Sequence, residues 1–160
     1  LLASRGLAVT ASTGRASEED FLRGLGACGI IDRNTLSEPG KMLQAERWAG
    51  GVDSVGSHTL VNALAQTVYG GAFAACGLAG GADLPGSVMP HILRSVALLG
   101  VDSVMCAQPK RARAWELLER DLDRAKLAAL TTVAPMADLP RLADEIVSGK
   151  TRGRTVIEIL

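Results

Sequence analysis

One short stretch of the chain combines residue types that could bind an anion. Ser12-Thr13-Gly14-Arg15 follows the apolar run Leu7-Ala8-Val9-Thr10-Ala11 and offers two hydroxyls, a glycine backbone and a guanidinium, with no carboxylate among them. Arginine holds phosphate through two parallel charge-assisted bonds. In an open parallel sheet, ligands sit beyond the carboxyl ends of the strands, so a turn leaving such a strand is a candidate site. A carboxylate there would accept the hydroxyls of a plain ribose and repel a 2′-phosphate. This turn is therefore suited to NADPH over NADH. The same four residues also fit an ordinary glycine turn with a solvated arginine, and their spacing leaves both readings open.

Other reactive residue types form no constellation. Cys28, Cys76 and Cys106 are scattered singly and His58 and His91 lie far apart, which points to neither a zinc site nor a disulfide framework. Cys76 and Cys106 have no His or Asp nearby in sequence to activate them and are expected to act as small buried hydrophobes. His91 follows Pro90 at a helix start and reads as a cap or surface residue. No residue is assigned a catalytic role, and no metal is expected.

The elements that must position the turn alternate in type. Strands are expected at 7–12, 28–32, 48–56, 72–76, 97–102 and 154–159, and helices at 17–25, 58–68, 90–96, 109–124 and 135–148. Ser17 before Glu18, Glu19 and Asp20 reads as an N-cap, and Gly26 as the stop of that helix. Gly70-Gly71 is expected to end the helix at 58–68. The helix at 109–124 is expected to pack by one face through Leu117, Leu118 and Leu122, and residues 34–47 give no element. Strands alternating with helices indicate α/β architecture with a largely parallel sheet.

Composition narrows the function. With 160 residues, 48% of them hydrophobic, one domain with a substantial core is expected. The 17 basic and 17 acidic side chains cancel, which disfavours nucleic acid as a partner. No apolar run reaches the roughly 18 residues of a membrane helix, and unpaired cysteines suit a reducing cytoplasm. The chain starts Leu1-Leu2-Ala3 without an initiator methionine and is expected to be part of a longer polypeptide.

The stretches TGRASEEDFLRGLGA (13–27), WAGGVDSVG (48–56), YGGAFAACGLAGG (69–81), VMPHILRSVALLGVDSVM (88–105) and GRTVIEI (153–159) resemble the zinc-independent medium-chain dehydrogenase/reductases. Among these the chain is most similar to the acrylyl-CoA reductase (NADPH) group, often labelled quinone oxidoreductase. The resemblance implies a Rossmann-like, doubly wound, mostly parallel sheet, here without its first strand and glycine-rich pyrophosphate loop. It also implies that residues 1–160 are a partial NADP-binding domain with a C-terminal return segment, and that the N-terminal catalytic domain lies outside the chain. Without that loop, dinucleotide binding by these residues alone is expected to be weak.

By the same resemblance, Thr13, Gly14 and Arg15 grip the 2′-phosphate of NADPH, and Arg33 is a second cation near the adenosine. Leu78 in CGLAGG lies where the backbone passes the nicotinamide, and Ser103 and Arg154 lie near the cofactor. Arg33 also reads as a surface arginine after a strand, and the glycines around Leu78 as a packing requirement. The implied reaction is hydride transfer from NADPH to an activated double bond of an enoyl-CoA, or to a quinone, in a homodimer paired through residues 82–104. The alternative is a non-catalytic α/β module acting through association.

Overall fold

The computed structural model describes residues 1–159 and divides into two compact units. The larger, Ala8–Arg111, contains β1 (Val9–Thr13), α1 (Glu19–Leu25), β2 (Ala27–Asp32), β3 (Trp48–Asp53), α2 (Ser57–Ala65), β4 (Thr67–Ala75), α3 (Met89–Arg94) and β5 (Ala97–Gly100). All of its strand pairings are parallel, in two ladders of order β1-β2 and β3-β4-β5. A doubly wound dinucleotide domain has the order 3-2-1-4-5-6. The ladder β2-β1 fits positions 3-2 and the ladder β3-β4-β5 fits 4-5-6, so the described strands leave position 1 unfilled.

The core of this unit gathers Leu60, Ala63 and Leu64 of α2, Phe73 of β4 and Val96, with Trp48, Ala75 and Leu98 packed around them. Glycine lets the sheet close. A Cβ on Gly51 would meet the Phe73 ring, 2.6 Å from its Cζ, so the aromatic ring occupies space that any larger residue would claim. Gly70-Gly71 does not end α2, as the sequence suggested. The helix stops at Ala65, and both glycines lie inside β4, where pairing jumps from Trp48↔Thr67 to Gly50↔Ala72. Four residues of β4 bulge there, and Gly70, at φ +73°, supplies the left-handed backbone the bulge needs.

Ser17 does not cap α1. It sits inside a short 3-10 turn, Ala16–Glu18, that leads directly into the helix, because Thr13 has already organised the chain reversal. Gly26 ends α1 in the left-handed conformation, as expected.

Residues 37–47 have no regular structure beyond the 3-10 turn Arg33–Leu36 that precedes them, yet they are tightly held. Buried Asn62 donates to the carbonyls of Leu36 (2.9 Å) and Glu38 (2.7 Å) and accepts from Gln44 Nε2 (2.6 Å). Gln44 Oε1 in turn accepts from Gln66 Nε2 at 2.8 Å. Arg94, at the end of α3, donates to the Gln44 and Ala65 carbonyls and pairs with Glu46 at 3.2 Å.

The second unit comprises Leu1–Leu7 and the chain from Ala112 onward. It holds most of α4 (Gln108–Asp121), then α5 (Arg124–Ala129), β6 (Thr131–Pro135), α6 (Leu139–Val147) and β7 (Arg154–Glu158), with β6 and β7 parallel. The helix expected at 109–124 ends at Asp121, because Asp123 caps the separate α5 through Ala125 N and Lys126 N. Its expected packing face is only half-covered at Leu117, Leu118 and Leu122, and Trp115 is exposed. Asp121 accepts from Arg120 and Arg5, which hold its carboxyl down to about 2. That value lies below the ordinary 3.8, so this tie is present above about pH 4 and is lost as the pH falls toward 2. Among the described residues, no helix is long and apolar enough to cross a membrane.

Asn62→Ala would strip hydrogen bonds from two carbonyls and one amide at once. We expect a loss of about 2–3 kcal/mol in urea denaturation with the unfolding slope unchanged.

Candidate phosphate-binding turn

Parallel pairing assembles the turn. In the β1-β2 register Thr13 stands opposite Asp32, so the next residue of each strand, Gly14 and Arg33, leaves the ladder side by side. The Asp32 carboxylate accepts from Asn34 N at 2.9 Å and Thr35 Oγ1 donates to the Asp32 carbonyl at 2.7 Å, which starts the 3-10 turn carrying Arg33. The Arg33 side chain lies across Gly14: a Cβ at that glycine would stand 2.8 Å from Arg33 Cζ. Arg33 is exposed, with its side chain laid over Gly14. The guanidinium fills the space that a side chain at position 14 would take.

Thr13 Oγ1 accepts from Arg15 N at 3.1 Å, a hydroxyl-to-backbone link that directs the chain from β1 into the 3-10 turn. Arg15 is half-exposed, with its Nη1 3.9 Å from a largely covered Glu18 carboxylate. Two cations thus stand at the carboxyl ends of adjacent parallel strands, flanking a residue without a side chain. The arrangement fits a phosphate with several anionic oxygens, the group that bidentate arginines recognise.

Leu78 and Ser103 occupy equivalent positions on the other ladder of the same unit. The loop after β4 is strapped to the loop after β3 by Cys76 N to Asp53 O (2.8 Å), Ala79 N to Ser54 O (3.2 Å) and Gly80 N to Val55 O (2.7 Å). Buried Asp53 fixes the β3 loop by accepting from Val55 N and Gly56 N. A Cβ on Gly77 would stand 2.7 Å from Ser54 O, and one on Gly80 2.8 Å from Val55 Cγ1, so packing accounts for these glycines. The Leu78 side chain stays 65% exposed at the loop apex. Ser103 lies just beyond β5, exposed, with its carbonyl accepting from Arg111 at 2.5 Å.

Arg154 belongs to the second unit. It opens β7 opposite Thr131, its backbone N–H bonded to Leu130 O at 2.8 Å and its side chain exposed. Cys76 is exposed rather than buried, because β4 ends just before it, and its thiol bonds the Asp53 carbonyl at 3.2 Å. His91 Nδ1 contacts the Val96 carbonyl at 2.7 Å, joining α3 to the start of β5. Sequence reasoning missed Glu18 and Asp53. Glu18 looked like one of three consecutive acids, and only the folded turn sets it against Arg15. Asp53 carried a legible signal, an aspartate two residues before a Val-Gly turn.

Gly14→Ala is expected to leave the melting temperature nearly unchanged, since the added methyl meets only the flexible end of Arg33. Calorimetric titration should show binding of 2′,5′-ADP weakened several-fold as the guanidinium is displaced.

No protein-family model matches the chain. It is 46% identical over 160 residues, 99% of its length, to the acrylyl-CoA reductase AcuI of Ruegeria pomeroyi. Among solved structures, the YhdH oxidoreductase of Salmonella enterica in complex with NADP matches with a TM-score of 0.96 at 44% identity over 99% of this chain. The Bacillus subtilis protein YhfP with NAD bound matches with a TM-score of 0.93 at 36% identity, again over 99% of this chain. The chain spans about half the length of these relatives, 48% of the reductase and 49% of each structure. In sequence and in fold, the chain is homologous to the acrylyl-CoA reductase group over nearly all of its length.

Proposed function

We propose that this chain is the cofactor-binding portion of an NADPH-dependent oxidoreductase that reduces the activated C=C bond of an acrylyl-CoA-like enoyl thioester, or a quinone. The observation that carries this reading is the pair Arg15 and Arg33 about Gly14, at the carboxyl ends of two adjacent parallel strands. Thr13, Gly14, Arg15 and Arg33 hold the 2′-phosphate. Leu78, beyond β4, lies where the backbone passes the nicotinamide, and Ser103, beyond β5, lies near the cofactor. When bound, the reduced nicotinamide supplies the hydride. The chain's own part is to bind the dinucleotide, hold its phosphate and select it by charge. The NADP complex of the Salmonella relative supports the cofactor, and the reductase of Ruegeria supports the substrate class. Residues 1–160 then form a partial Rossmann domain with a return segment, acting in the cytoplasm, where Cys28, Cys76 and Cys106 stay unpaired.

A homodimer is part of the proposal. β5 is an edge strand of its ladder, Leu99 on it (53% exposed) and Val101 just after it (49%) are exposed apolar residues, and Val88 before α3 is exposed as well (67%). An apolar edge of this kind favours pairing with a second copy. Sedimentation equilibrium should give twice the monomer mass, and Leu99→Asp with Val101→Asp should halve it. A strict monomer at high concentration would refute the pairing.

The cofactor reading is tested by calorimetric titration with 2′,5′-ADP and 5′-AMP. Arg15→Ala is expected to weaken 2′,5′-ADP about ten- to one-hundred-fold while leaving 5′-AMP within about two-fold. A folded chain that binds neither nucleotide would mean that the site needs the first strand and glycine-rich loop, or that the phosphate reading of the turn is wrong.

A further inference from the structure

We propose that Glu18 is a built-in counter-ion that sets how strongly the turn discriminates a 2′-phosphorylated ribose from a plain one; this rests on the phosphate reading of the turn. The two arginines differ in their surroundings. Arg33 makes no ion pair among the described residues, whereas Arg15 faces the Glu18 carboxylate at 3.9 Å, an attraction of charge beyond hydrogen-bond length. Glu18 is held there by the backbone. Its N–H donates to the Arg15 carbonyl at 3.0 Å, closing the 3-10 turn, and its side chain is only 14% exposed, so the carboxylate cannot simply swing into solvent.

The neighbouring acid does not share this role. Glu19 is committed to Arg23 at 2.8 Å, one turn along α1. Glu18 offsets the charge of Arg15, and removing the Glu18 charge makes the turn more positive by one unit. A phosphate monoester near neutral pH carries about −1.5 to −2 charges, so it competes with the Glu18 carboxylate for the Arg15 guanidinium. A plain ribose hydroxyl at the same place enters no such competition. Glu18 thus moderates selectivity for the phosphate and leaves the rest of the nucleotide unaffected.

Calorimetric titration of the wild-type chain, Glu18→Gln, Arg15→Ala and the double variant with 2′,5′-ADP and 5′-AMP tests this. Glutamine keeps the volume of Glu18 and removes only its charge. Glu18→Gln is expected to tighten 2′,5′-ADP about three- to ten-fold, with 5′-AMP within about two-fold. The gain should vanish when Arg15 is also replaced, because the two charges act on the phosphate as a pair. Unchanged or weakened 2′,5′-ADP binding in Glu18→Gln would overturn the proposal, the weakened case making Glu18 a support that orients Arg15. Persistence of the gain in the double variant would overturn it as well. If the folded wild-type chain binds neither nucleotide, the phosphate reading itself falls, and this inference with it.

Discussion

The parallel register of β1 and β2 is the constraint on which the candidate site depends. Parallel strands end at the same edge, so residues far apart in sequence emerge together there. Thr13 opposite Asp32 makes Gly14 and Arg33 neighbours although 18 residues separate them, and the absent side chain at Gly14 gives the guanidinium its place. An antiparallel pairing would send the two residues to opposite edges. The same logic governs β3, β4 and β5, whose following loops, Asp53–Gly56 and Cys76–Gly81, zip together by backbone bonds.

Charge at the turn is local and owes nothing to the whole chain. Equal numbers of acidic and basic side chains give no field that would steer an anion from a distance. For the turn to hold a phosphate as proposed, the geometry of a few groups within one turn of backbone has to suffice. Thr13 fixes the chain reversal, Gly14 opens the space, and Arg15 and Arg33 supply the positive charge.

Much of this was legible in the sequence. The apolar run into Ser-Thr-Gly-Arg, the acids opening α1 and the glycine closing it are local signals, and the structure has β1, α1 and Gly26 close to where those signals put them. Features that depend on distant partners were not legible. That Arg33 lies beside Gly14 follows only from the pairing of β2 with β1. Gly70-Gly71 read as a helix stop, because a bulge is defined only by the strand it opposes. β6 escaped notice since Thr131–Pro135 is short and gains its identity from pairing with β7. Ser17 read as an N-cap because its type and the acids after it fit one, while the turn had already been set by Thr13.

Residues 37–47 show that lack of secondary structure is not lack of order. Asn62, Gln44, Gln66 and Arg94 bind this segment to the end of α2 and to α3 through side chains rather than a repeating backbone pattern. To a protease or to exchanging solvent protons, the segment would look like a linker by composition yet open only when α2 itself lets go. Its stability is borrowed from the core, which ties the connection between the two ladders to the same cooperative unfolding unit as Leu60, Leu64 and Phe73.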